Sequence, residues 1–331
     1  MPSIEAIALV NGHQAYVMPP VLDLFHRCVT VPLIRLLSGV GADTADRAGA
    51  ALGVLVFYLG LRRAVVSANI ALTLNLRGST RRDIARRSYA TMGANFLSVW
   101  TFGGPHGPQS GVRWLNPLWM AHLQRVSPGR VMLSPHLGSW DVAGMASAMH
   151  SGRVLVYAKK QHDPLLDREL CRARTSVGID ILLAREGGLG AALTALRALR
   201  AGRTLGLTAD QSPGGKDGVP AWFLGVPTLC HGGPAVFARM ANVPVVPSFC
   251  LRLAAGQYGL FFGRALPANS DDQIMTQAGM DCTSAIIAAF PGQYFWHHRR
   301  FKRPIALAGR REEPWRTRGL RLLIDSNTGS T

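Results

Sequence analysis

From residue 130 onward, short apolar runs alternate with longer stretches of helix-forming residues. The runs at 130–134, 154–158, 179–183 and 204–208 have the length and branched-aliphatic content of buried strands. The stretches at 141–149, 164–177 and 188–201 read as the helices between them. This strand–helix rhythm predicts an α/β fold with a mostly parallel or mixed central sheet flanked by helices. Residues 244–253 and 258–263, joined through Ala254-Ala255-Gly256-Gln257, predict a β-hairpin, and 275–290 a late helix. No repeat is visible, and the sheet is expected to begin near Gly129.

The first hundred residues have a different pattern. Residues 19–37 mix large apolar side chains with His26, Arg27 and Arg35, as an amphipathic helix does. After a break at Gly39–Gly41 comes the apolar run 48–61 (AGAALGVLVFYLGL), flanked by Arg47, Arg62 and Arg63. It is shorter than the roughly 20 residues a spanning helix needs, so it reads as a buried or interfacial helix. Thr80, with Asp83 three residues on, resembles a capping box opening a helix through 84–100. The expected organisation is a helical, membrane-associating N-terminal extension (1–105), an α/β domain (106–305) and a basic C-terminal tail (306–331).

A hydrophobic content of 48% excludes global disorder. A formal net charge of +17 predicts an anionic partner: nucleic acid, an anionic membrane or an acidic protein. The five cysteines form no C-x-x-C pair, which argues against a zinc site or a disulfide framework and fits a reducing compartment. Residues 1–20, with Glu5, His13 and late prolines, do not read as a cleaved signal peptide.

Three stretches carry candidate chemistry. In VMLSPHLGSWD, His136 follows a strand and Asp141 falls in the first turn of the next helix. Ligands collect at the carboxyl ends of strands in open α/β sheets, and a histidine there can serve as general base. Asp141 would orient it, as the acid of a triad does, with no serine required. The bland alternative is a surface histidine beside a helix-terminal acid. In TLGLTADQSPGGKDGVPAWFLGVPTL, Asp210 and Gln211 end a second strand and would face the same cleft. The loop after them lacks P-loop spacing, and His231-Gly232-Gly233 has no G-x-S-x-G elbow to go with it. In PGQYFWHHRRFKR, aromatics interleave with His297, His298, Arg299, Arg300, Lys302 and Arg303, which suits phosphates, a membrane interface or nucleobases. Adjacent histidines on an extended strand point to opposite faces, so no metal is expected.

Taken together, HLGSWD, then ADQ and FLGVPT, then PGQYFWHHRRFK resemble the bacterial lipid A late-acyltransferase (lauroyl/myristoyl) family, within the lysophospholipid acyltransferase superfamily. Arg62–Asn69 (RRAVVSAN) resembles an R-x-x-x-x-x-N-L region near that family's start, and the likeness covers roughly 55–303. It implies a glycerolipid-acyltransferase-like fold and transfer of a fatty acyl chain from an acyl-carrier-protein or acyl-coenzyme A thioester to a lipid hydroxyl. His136 would be the base and Asp141 its partner. Arg185, Asp210, Gln211, Arg299 and Arg300 would bind substrate, with no cofactor beyond the thioester. Asp141 stands where the lipid A enzymes commonly carry Glu. The HxGxWD form resembles other branches, including those acting on phosphatidylinositol mannosides.

The expected acceptor is a lipid A precursor or a related glycolipid, with a lysophospholipid or glycerophospholipid as the alternative on the same scaffold. The expected location is peripheral or monotopic on the cytoplasmic face of the bacterial inner membrane, where the basic surface meets acidic carrier protein or anionic lipid. A nucleic-acid-binding protein is the alternative from another class, but no helix-turn-helix, zinc or RNA-binding signature accompanies the charge.

Overall fold

The computed structural model describes residues 24, 26–104, 111–152, 154–158, 160–161, 163–183, 188–213, 218–266, 271–302, 305 and 314–324. After a π-helical turn at His26–Thr30, four helices follow: α1 (Val31–Ser38), α2 (Ala42–Tyr58), α3 (Arg63–Leu74) and α4 (Gly78–Phe102). Then come β1 (Gly111–Trp114), α5 (Pro117–Val126), β2 (Arg130–Leu133), α6 (Trp140–Ser151), β3 (Val154–Ala158), α7 (Pro164–Thr175), β4 (Ile179–Leu183), α8 (Gly188–Arg200) and β5 (Thr204–Leu207). The chain continues through β6 (Val219–Phe223), β7 (Val226–Cys230), α9 (Gly233–Ala241), β8 (Val245–Ala254), β9 (Gln257–Phe262), α10 (Asp272–Ala289) and α11 (Trp315–Ile324).

Seven strands form one sheet in the order β1-β9-β8-β2-β5-β3-β4. The pairs β8–β2, β2–β5, β5–β3 and β3–β4 are parallel, β8–β9 is antiparallel, and β1 adds parallel to β9. The fold is therefore the expected α/β one, with a mostly parallel mixed sheet between helices. The central strands β2 and β5 are buried along their whole length, as strands covered on both faces must be.

The start of the sheet departs from expectation. The sheet starts at β1, not near Gly129. That strand is four residues of alternating exposure on the sheet edge, too short and too polar to stand out in sequence. The run 221–224 lies in the separate β6–β7 hairpin, whose turn residues Leu224 and Gly225 both have positive φ (51° and 79°), as a tight hairpin turn requires. Helix α4 begins at Gly78, two residues before the expected Thr80 cap, and has no side-chain cap. Asp83 instead pairs with Arg86 (3.0 Å) and Arg87 (2.7 Å), the next turn's cations.

The run 48–61 covers the end of α2 and the turn after it, and that helix is half-buried rather than enclosed. Gly49, Gly53 and Phe57, four apart, face α4. A Cβ on Gly53 would lie 2.0 Å from the Tyr89 carbonyl, and one on Gly93 1.9 Å from the Gly49 carbonyl, so the two helices touch backbone to backbone. The opposite face leaves Leu52, Leu55 and Tyr58 exposed. Among the described residues no single helix is long and apolar enough to cross a membrane. The α2–α3 pair, bent by 93°, passes by length and composition together. The basic tail contains α11, which packs on α10: Gly319 sits so close that a Cβ would be 2.2 Å from the Asp281 carbonyl.

Candidate active site

His136 leaves β2 on a loop pinned from three sides. The Phe295 amide donates to the His136 carbonyl (3.0 Å), and the Gly138 amide to the Gln293 carbonyl (2.9 Å). The Ser139 amide donates to the Cys250 carbonyl of β8 (2.8 Å), while Asn95 Nδ2 of α4 donates to the Gly138 carbonyl (2.5 Å). Gly138 has φ +57°, and a Cβ there would stand 2.0 Å from the Cys250 carbonyl, so this position requires glycine on both counts. The amides of Leu137, Gly138 and Ser139 are all consumed by carbonyls, so these backbone groups after His136 are not free to hold an oxyanion.

The imidazole meets Asp210, at the end of β5. Nδ1 lies 2.8 Å from Asp210 Oδ1, and the His136 amide donates to Oδ2 at 3.2 Å. A carboxylate only accepts, so Nδ1 carries the proton and Nε2 keeps its lone pair. Gln211 Nε2 lies 3.4 Å from that Nε2. The Asp210 side chain is 1% exposed and that of His136 17%, so the acid is sealed and the base borders solvent. Burial of His136 opposes its charge. The carboxylate and hydrogen bond of Asp210, helped by Asp141, outweigh it and hold the imidazole above its ordinary pKa. For Asp210, burial works upward, but the His136 charge and hydrogen bonds win and bring it below the usual carboxylate range. Trp140 and Phe295 line the imidazole at 5.0 and 6.0 Å between ring centres. Among the described residues no serine hydroxyl or cysteine thiol is hydrogen-bonded to the ring.

Asp141, expected to orient His136, makes no hydrogen bond to it. It begins α6 and accepts from Arg174 of α7, at 2.9 Å from Nε and 2.6 Å from Nη2. Its charge still reaches the imidazole through space. Arg174 belongs to the site, yet nothing in the helix sequence PLLDRELCRART marks it apart from its other arginines.

Arg300 is also placed differently from expectation. It is buried, donating from Nε to the Asp210 carbonyl (2.6 Å), from Nη1 to Thr228 Oγ1 (3.1 Å) and from Nη2 to Cys230 Sγ (3.0 Å). It fixes the backbone of Asp210 and has no face for a substrate. Arg299 next to it is exposed, and Arg185 lies outside the described residues. Of the paired histidines His297 is buried and His298 half-buried: burial, followed by Arg62 for His297 and Arg300 for His298, brings both down to about 4, so both are neutral. Tyr294, buried near Asp210, has its hydroxyl pKa raised by burial and by that acid.

The segment after α10, at 296–298, is held from the N-terminal helices. Asn69 Nδ2 donates to the carbonyls of Trp296 and His298, both at 2.8 Å, and Arg62 Nη1 to that of His297 at 3.1 Å. The two conspicuous motifs at opposite ends of the chain are thus one structure: RRAVVSAN clamps the segment that clamps His136. Beneath them Arg252 of β8 is ion-paired with buried Asp46 and donates to Asn95 Oδ1 (2.6 Å), so α2, α4 and β8 share one buried charge network. Asp46, Asn95 and Arg252 carry no motif in sequence.

Residues 22–303 match the family described as bacterial lipid A biosynthesis acyltransferase. The chain belongs to that family. It is 30% identical over 170 residues to a phosphatidylinositol mannoside acyltransferase of Mycobacterium tuberculosis (strain ATCC 25618 / H37Rv), covering 51% of this chain and 52% of that one. To the protein of the same description from Mycolicibacterium smegmatis (strain ATCC 700084 / mc(2)155) it is 28% identical over 195 residues, covering 59% of this chain and 62% of the relative. The chain thus spans about half the length of the curated relatives it matches.

Proposed function

We propose that this family member transfers a fatty acyl chain from a carrier-protein or coenzyme A thioester to a hydroxyl of a glycolipid, a lipid A precursor or a related molecule. The observation carrying this reading is the His136–Asp210 pair, with Nε2 beside the Gln211 amide and, among the described residues, no enzyme nucleophile hydrogen-bonded to the ring. Nε2 takes the proton of the acceptor hydroxyl as its oxygen attacks the thioester carbonyl. The tetrahedral intermediate collapses, the thiolate leaves, and it regains the proton from the imidazolium. Asp210 holds Nδ1–H and stabilises the charge that forms on the ring. General-base help of this kind contributes roughly 10²–10⁴-fold. The Gln211 amide supplies a donor beside the reacting nitrogen. Asp141 and Arg174 form the charge pair bordering it.

The relatives named for phosphatidylinositol mannosides, together with the family's description, favour a sugar hydroxyl as acceptor. The protein works at the cytoplasmic face of the inner membrane, attached through its basic and apolar N-terminal helices.

The test is acyl transfer by purified protein, with acyl-carrier-protein and acyl-coenzyme A donors offered separately. The acceptors are a lipid A precursor, a phosphatidylinositol mannoside and a lysophospholipid, and products are read by mass spectrometry. One added acyl chain on a glycolipid, absent with His136→Ala, is the expected result. Preference for the lysophospholipid would replace the acceptor class, and undiminished turnover by His136→Ala would overturn the mechanism.

A further inference from the structure

We infer that a pocket between α3 and the start of α4 binds the phosphate of an anionic membrane phospholipid and seats the α2–α3 elbow in the bilayer. This rests on the reading of the chain as a transferase with a lipid acceptor. The pocket is an open one of about 290 Å³, lined by Phe57, Arg63, Ser67, Gly78, Arg81 and Arg82. Three guanidinium groups and one hydroxyl therefore face one space, and no acid lines it. The nearest acid in sequence, Asp83, is spent on Arg86 and Arg87. Among the described residues no carboxylate pairs with Arg63, Arg81 or Arg82. Like charges gathered without a counter-ion repel one another, and an anion relieves that repulsion. The start of α4 adds to the same field, because its first turn holds no acid and no side chain caps its N–H groups.

The second observation is apolar. Phe57 and Arg63 of the pocket bracket the elbow in sequence, and Arg63 lies 5.5 Å over the Phe57 ring. Between them Tyr58, Leu59 and Leu61 are exposed, Leu59 by 74% and Leu61 by 66%. A soluble phosphate or an acidic carrier protein would satisfy the arginines and leave these leucines in water. A bilayer takes both: apolar side chains enter the acyl boundary while guanidinium groups stay at the depth of the phosphates.

The experiment is vesicle co-sedimentation of the full chain. The vesicles are phosphatidylcholine alone, phosphatidylcholine with phosphatidylglycerol, and phosphatidylcholine carrying equal negative charge as oleate. Arg81→Gln/Arg82→Gln is expected to bind the phosphatidylglycerol vesicles on the order of 10–30-fold more weakly, with a smaller change on oleate vesicles. Leu59→Gln/Leu61→Gln is expected to lose binding to all three. Unchanged phosphatidylglycerol binding by the arginine variant overturns the proposal. So does an equal loss on oleate vesicles, which would mean bulk charge, or a loss confined to binding of purified acyl carrier protein. Both variants should keep wild-type thermal unfolding and wild-type transfer to a detergent-solubilised acceptor. Absence of that transfer in the wild type would strike the transferase reading and leave the vesicle result to judge this one.

Discussion

Two carboxylates flank His136, one at the end of β5 and one at the start of α6, and the surroundings of each decide what it does. Asp210 is seventy-four residues away in sequence, sealed from solvent, and hydrogen-bonded to the imidazole. Asp141 is five residues away, partly exposed, and taken by Arg174. The strand end presents a carboxylate directly across the crevice. The helix start turns the nearer carboxylate toward the neighbouring helix. Closeness along the chain set the expectation, and the parallel pairing of β2 with β5 overruled it.

The comparison breaks first at His136 and Asp210. His136→Ala is expected to lower kcat at least about 10³-fold, and Asp210→Asn roughly 10²–10³-fold, with the double variant scarcely worse than His136→Ala. Single-turnover transfer with purified protein checks this. An Asp210→Asn enzyme near wild-type rate would dissolve the pair.

The pH profile sharpens the same contrast. The base must be neutral, so turnover rises with pH through the His136 pKa, which Asp210 holds above its ordinary value. Asp210→Asn removes that charge and leaves burial, which lowers the pKa. Its acid limb should therefore move to lower pH even as the plateau falls. A limb that stays in place would show that Asp210 does not set the titration.

The smallest effect belongs to the other acid. Asp141→Asn and Arg174→Gln are each expected to cost about 3–10-fold in kcat, and together no more than either alone, because they form one ion pair. A loss with Asp141→Asn as large as that with Asp210→Asn would restore Asp141 as the direct partner of the histidine.

The main elements were legible because burial imprints its period on the chain. β3 and β4 fall at 154–158 and 179–183 as the apolar runs predict: β3 is apolar throughout, and β4, at the sheet edge, is apolar except for the exposed Asp180. His136, Asp210 and Gln211 were legible as strand-end polar groups interrupting such runs. What no local pattern carries is pairing between distant segments. Which acid meets the imidazole follows from β2 lying beside β5. Arg300 reads as a surface cation until the fold buries it against the Asp210 carbonyl and Thr228. Arg62 and Asn69 acquire their role only when α3 is laid against 296–298. Sequence alone determined the α/β rhythm and the reactive residue types, because both depend on local composition. Tertiary structure alone decided their partners, because hydrogen bonds of 2.5–3.2 Å depend on where separate strands and helices come to rest.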